Sequence, residues 1–145
     1  MKYYVKSVKH IEVTYEQNGI SKTVQNYANK ITKLTGKDTI KALFVHVSKE
    51  IKTISGKGFN NSPEDVIKNG NGNDFSKSML FLDLCNVKGV PNLYYVYIQN
   101  KSKKRGHVFV KADGRIIDPS IIDGWGHYNG EKNSYYGNIK NVTIT

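Results

Sequence analysis

The 145-residue sequence predicts an α+β fold, with one buried helix packed on an antiparallel sheet. Three observations carry that expectation. Residues 75–85 place apolar side chains on nearly every side of a helix of about three turns, as a central helix would. Residues 93–117 hold three short β-prone runs separated by turn signals, the pattern of consecutive antiparallel strands. Residues 38–54 carry Ile40, Leu43, Phe44, Val47, Ile51 and Ile54 at helical spacing with lysines between them, an amphipathic helix that needs a core to face.

Residues 3–28 read as a β-hairpin. Ile11, Val13 and Tyr15 alternate with Glu12, Thr14 and Glu16, Asn18-Gly19 is a two-residue turn signal, and Ile20–Tyr27 would return. The helix over 38–54 starts at Asp38, a plausible N-cap, and stops at Gly56 or Gly58. Ser62-Pro63-Glu64 opens a short helix through Val66 and Ile67, with serine as cap and proline at the first helical position. Gly70 and Gly72 lie in a turn-rich loop that feeds the buried helix, and Gly89 and Pro91 end that helix. Strands follow at Leu93–Ile98, His107–Lys111 and Arg115–Ile117, joined by a turn over 100–106 and by Asp113-Gly114. After Asp118 the chain is rich in Gly, Asn and Tyr, with a last strand expected over Ile139–Ile144. The whole chain reads as one domain: a hairpin over 1–34, a core over 35–120 and a C-terminal segment over 121–145.

Composition narrows the function classes. At 38% hydrophobic and 11% aromatic residues the chain is too apolar to be disordered. No apolar run approaches membrane-spanning length and no secretory h-region stands at the N-terminus, so a cytoplasmic or virion location is expected. The single cysteine, Cys85, excludes an internal disulfide and a multi-cysteine metal site, and the four histidines lack paired helical spacing. No cofactor or metal is expected. The formal charge is +10, but the lysines are spread along the chain. Only Lys101, Lys103, Lys104 and Arg105 form a tight basic run, a candidate anion-binding tip. Twenty lysines against two arginines suggest an AT-rich coding genome, such as that of a low-GC bacterium or its phage.

The order of parts is more specific than any one of them. Ser62-Pro63-Glu64 is followed by Gly70-Asn71-Gly72-Asn73-Asp74 at a helix start, Gly89-Val90-Pro91 at its end, His107-Val108-Phe109-Val110 on a strand and Asp118-Pro119-Ser120 after the next. A helix N-terminus lowers a thiol's pKa and can stabilise an oxyanion, and a histidine oriented by a carboxylate can serve as base beside it. From Asp38 to Ser120 the chain resembles the transglutaminase-like superfamily, a branch of the papain-like cysteine-enzyme fold. Its members carry a Gly-Asp-Cys-Asp-Asp type of loop at the helix start. The resemblance implies a Cys-His-Asp triad in which His107 matches the base and Asp118 the orienting acid. The nucleophile position matches Gly72, which has no side chain, and a one-residue shift would put Asn71 or Asn73 there.

Cys85 is a poor substitute, since it lies 13 residues beyond Gly72, about 20 Å along the helix. Asp74 is expected as a cap or dipole partner, and Asn73, Asp74, Trp125 and His127 are candidate cleft residues, although the aromatic cluster from Trp125 to Tyr128 could equally plug the core. The expected function is a catalytically inactive domain acting as a binding, structural or assembly component with protein partners, for example in a phage virion. The first alternative is a cysteine-type peptidase, amidase or acyltransferase in which Gly72 replaces the thiol. The second is a nucleic-acid binder using the run from Lys101 to Arg105, although no nucleic-acid motif accompanies it.

Overall fold

The computed structural model describes residues 8–31, 37–55, 62–100 and 106–130. Four helices and an antiparallel sheet of four strands make up the α+β fold among them. In chain order these are β1 (Val8–Thr14), α1 (Lys22–Lys30), α2 (Lys37–Glu50), β2 (Lys52–Thr53), α3 (Pro63–Asn69), β3 (Asn71–Gly72), α4 (Asp74–Val87), β4 (Leu93–Asn100), β5 (Gly106–Ala112) and β6 (Arg115–Ile117). The sheet runs β1-β4-β5-β6, while β2 and β3 form a separate two-residue parallel pair with Thr53 opposite Gly72.

Helix α4 is the centre. Leu80, Phe81, Leu82, Leu84 and Cys85 are each fully buried, and the helix packs against α1, α2, α3, β4 and β5. Apolar residues on all sides have no solvent face to choose, so only a central position buries them all. The alternation along the strands divides the rest of the core. Tyr95, Val110 and Ala112 face α4, whereas Val96, Ile98 and Phe109 form a second cluster with Tyr128.

The N-terminal segment departs from the hairpin expectation. β1 is a strand, but Ile20–Tyr27 is not its partner. Ser21 caps α1 by accepting the Val24 N–H at 3.2 Å, and Val24, Ala28 and Ile31 are buried at spacings of four and three. That is a helix period, and the alternation seen in the sequence yielded to it. Gly19, at φ +68°, turns the chain from β1 towards α1, and β1 pairs instead with β4, placing Val13 opposite Tyr95.

Other boundaries move less. α2 begins at Lys37, so Asp38 lies in its first turn and is not the cap, where its carboxylate still faces the positive end of the helix. α2 ends at Glu50, and Ile54 belongs to the extended stretch after it. Gly56, Gly58, the run from Lys101 to Arg105 and the strand expected over Ile139–Ile144 lie outside the described residues. Ser62 caps α3 with Pro63 in its first turn, and Gly70 closes it in the left-handed region, as expected. Asp113-Gly114, at φ +50° and +81°, makes the tight turn between β5 and β6. Among the described residues no helix is long and apolar enough to cross a membrane.

Beyond β6 the chain folds back on the strand it has left. Trp125 bridges to Ile117, Gly124 accepts the Asp118 N–H at 2.8 Å, and Gly126 donates to the Ile116 carbonyl at 2.8 Å. Only glycine fits at 124, where a Cβ would stand 2.0 Å from the Asp118 carbonyl oxygen.

Candidate functional site

Three elements converge at the N-terminus of α4. Asn73 is its cap: the side-chain oxygen accepts the Ser76 N–H at 2.8 Å, and Ser76 Oγ accepts the Asn73 N–H at 2.9 Å, a reciprocal box that fixes where the helix starts. Asp74 is therefore the first helical residue. His107 is the second residue of β5 and sits opposite Ile98. Asp118 follows β6 directly and is fully buried.

His107 bridges two carboxylates. Its Nε2 lies 2.6 Å from Asp118 Oδ2 and its Nδ1 lies 3.1 Å from Asp74 Oδ2. Asp74 Oδ2 also accepts the Val108 N–H at 2.8 Å, which ties the start of α4 to β5. Asp118 has both oxygens engaged: Oδ1 accepts from the Ser120 N–H at 3.0 Å and the Ser120 hydroxyl at 2.6 Å, and Oδ2 also accepts from the Asn129 N–H at 2.7 Å. Burial disfavours a charged ring on His107, but the hydrogen bonds and charges of Asp118 and then Asp74 outweigh it and raise its pKa to about 9. Burial also works against the charge of Asp74, and the His107 and Val108 bonds overcome it, holding its carboxyl below the usual range. The raised pKa favours an imidazolium on His107 at neutral pH, held between the side chains of Asp74 and Asp118.

A fourth charge closes the network. Lys77 is 0% exposed, one turn beyond Asp74, and its Nζ donates to the Ile51 carbonyl at 2.6 Å and to Thr53 Oγ1 at 2.9 Å. Thr53 donates in turn to the Ser120 carbonyl at 2.7 Å. The path Lys77–Thr53–Ser120–Asp118–His107–Asp74 thus returns to the helix it left. Burial pulls the Lys77 ammonium down to about 8, with Asp118 acting in the opposite direction. Sequence reasoning missed Lys77 and Thr53 as parts of the site, and it named Ser120 only within the Asp118-Pro119-Ser120 motif, without a role. The one available signal for Lys77 was its place three residues after Asp74, on the same helix face.

The candidates read from the sequence separate. His107, Asp118, Asp74 and Asn73 come together. Gly72 does not present a vacant seat towards His107: it pairs with Thr53, and a Cβ on it would meet Ser76 Oγ at 2.7 Å, Lys77 Cγ at 3.2 Å and Val66 Cγ2 at 3.2 Å. A side chain there would displace the Ser76 hydroxyl and crowd Lys77 and Val66. In a triad one ring nitrogen faces the acid and the other the nucleophile; the side chain at the second nitrogen here is Asp74. Cys85 is fully buried far along α4, and burial pushes its thiol far above the usual range.

Trp125 is a bracket more than a cleft wall. It packs on Phe44 at 6.0 Å, with Arg115 and Lys41 over its ring at 5.6 and 5.8 Å. Tyr128 stacks on Phe109 at 4.5 Å, and Phe109 lies against His107 at 6.0 Å, while His127 is exposed. Among the described residues no group of three or more His, Cys, Asp or Glu side chains is arranged to hold a metal ion.

No protein-family model and no curated protein matches the sequence. Among solved structures the fold is similar to that of a candidate cysteine protease from Cytophaga hutchinsonii, with a TM-score of 0.54 at 20% identity over 70% of this chain. The matched part covers 39% of that protein. At this identity the likeness concerns the fold, which is of the papain-like type.

Proposed function

We propose that this chain is a binding domain on a papain-like fold whose acyl-transfer site has been disabled at Asp74. The observation that supports the reading is the contact of His107 Nδ1 with the Asp74 carboxylate. That nitrogen would receive the proton of an attacking thiol or hydroxyl. Asp74 has no such proton to give at neutral pH, and its attack on an amide would yield an anhydride that reverts faster than it hydrolyses. Asp118 and Asp74 together raise His107 to about 9, so the ring proton on that side is held by Asp74 and is not shared with a nucleophile. Loss of the nucleophile in comparable triads costs about a million-fold in turnover. The retained geometry then serves structure: four opposite charges hold α4, β2, β5 and the segment after β6 together, leaving the outer surface to contact a protein partner.

The test is a pair of cysteine variants. Asp74→Cys should create a thiol beside His107 at the helix start, labelled by iodoacetamide at about pH 6.5 at least tenfold faster than free cysteine. Gly72→Cys should gain no such reactivity, since its side chain would enter the packing of Ser76 and Lys77. An unreactive thiol at 74, a reactive one at 72, or hydrolysis of fluorogenic peptides by the unaltered protein would each defeat the proposal.

A further inference from the structure

A groove of about 320 Å³ opens beside the middle of α4, bounded by the loop after β1 and the starts of α1 and α3. It lies nine residues along α4 from Asp74, about 13 Å, and stands apart from the His107 network. The rings of Tyr15 and Tyr95 form its aromatic side, with centroids 6.4 Å apart, and Val24 and Met79 line it with apolar surface. Its polar group is the half-buried Asp83 carboxylate. Asp83 Oδ1 accepts the Tyr15 hydroxyl at 2.5 Å, and no lysine or arginine among the described residues pairs with Asp83, in a chain with 22 basic residues. Burial holds this carboxyl above its ordinary range, with the Tyr15 hydrogen bond acting in the opposite direction. Glu64, on the rim, is already engaged by Thr23 and Lys68. Glu16, also lining the groove, is exposed and adds negative field.

We infer that this groove is a seat for a primary ammonium on an apolar stem, the side chain of a lysine on a partner protein. A stem of four carbons would lie on Val24 and Met79, and the ammonium would meet Asp83 Oδ2 and the tyrosine faces. The choice of ammonium over guanidinium follows from the carboxylate. A guanidinium binds best as a fork on two oxygens, and Tyr15 already occupies one of them. The size is at the low end for ligand sites and suits one side chain. The inference does not depend on the state of the His107 site, so an active thiol in the Asp74→Cys variant or its absence leaves it untouched.

The experiment follows the Tyr15 and Tyr95 ring signals of the full chain by NMR during titration with n-pentylamine, Nα-acetyl-lysine methylamide and Nα-acetyl-norleucine methylamide. Both ring signals should shift with the lysine amide, saturating near about 1 mM, and the norleucine amide should leave them unmoved. Asp83→Asn should weaken lysine-amide binding by about tenfold or more. Tyr15→Phe, which frees Oδ1, should admit Nα-acetyl-arginine methylamide, a gain that misfolding cannot mimic. Pentylamine shifts as large as those of the lysine amide support the ammonium seat, and shifts with pentylamine alone assign it to free amines and overturn the lysine partner. Silence of both amines at about 50 mM, equal binding of norleucine, or indifference to Asp83→Asn in a folded variant overturns the inference altogether.

Discussion

The two ends of α4 bury their side chains by opposite means. Its C-terminal half packs Leu80, Phe81, Leu82, Leu84 and Cys85 with no polar group to satisfy, apart from Asp83 at the groove. Its first turn buries Asn73, Ser76 and Lys77 outright and holds Asp74 at partial exposure. Every one of those four makes hydrogen bonds to named partners. The apolar end tolerates a thiol and renders it inert, because desolvation opposes the thiolate. At the polar end the residue beside His107 is a carboxylate, Asp74. Position along one helix, more than the presence of a cysteine, decides what chemistry the fold can support.

That contrast can be broken most severely at Asp118. Asp118→Ala leaves an imidazolium facing only Asp74 and strips partners from Ser120 and Asn129, so a loss of about 3–5 kcal/mol in denaturant unfolding is expected. A loss under about 1 kcal/mol would mean that the polar end contributes no more than a surface pair.

Alkaline titration acts more gently on the same end. His107 has a folded pKa of about 9 against an ordinary 6.5, so its contribution is complete below pH 6.5 and is lost as pH rises through 9. The lost stability should be on the order of 3 kcal/mol. Lys77 runs the other way: its folded pKa is lowered to about 8, so the cost of burying its charge is relieved as the pH rises above that value. A Lys77→Met variant should therefore show a steeper fall across the window than the parent. Unfolding free energies at pH 6, 7.5 and 9 in both proteins check the sign.

The smallest expected effect is at the cap. Asn73→Ala removes one half of the reciprocal box and should cost about 1 kcal/mol, measured by thermal unfolding. It should also slow labelling of a cysteine at 74 by loosening the helix start, an effect that no change in the apolar half should reproduce.

Much of this was legible in the sequence. The apolar run of α4, the Ser62-Pro63 start of α3 and the β4–β6 meander follow from local period and turn chemistry, and the structure has them where expected. His107 and Asp118 were named from order and spacing, and they meet at 2.6 Å. Two readings failed for different reasons. The turn signal at Asn18-Gly19 implies a neighbouring strand where α1 forms, whereas the partner of β1 lies far along the chain in β4. The glycine motif of the sequence points to Gly72 as the nucleophile's place, whereas in the fold Gly72 pairs with Thr53 and packs against Ser76 and Lys77. Asn73 and Ser76 form the cap of α4, which makes Asp74 the residue at the helix start. Lys77 escaped notice because a lysine is ordinarily solvated, and only the fold shows the carbonyl and hydroxyl that receive it.

The pairing of β1 with β4 also governs how the chain can acquire its shape. Val8 lies opposite Asn100 and Thr14 opposite Tyr94, so every rung of that ladder joins residues at least 80 positions apart. On a ribosome adding about 5–20 residues per second, β1 waits on the order of ten seconds for its mate. During that interval both of its hydrogen-bonding edges are open, the circumstances in which strands find wrong partners. Refolding from denaturant, where both strands are present at once, should therefore give a cleaner product than synthesis without chaperones.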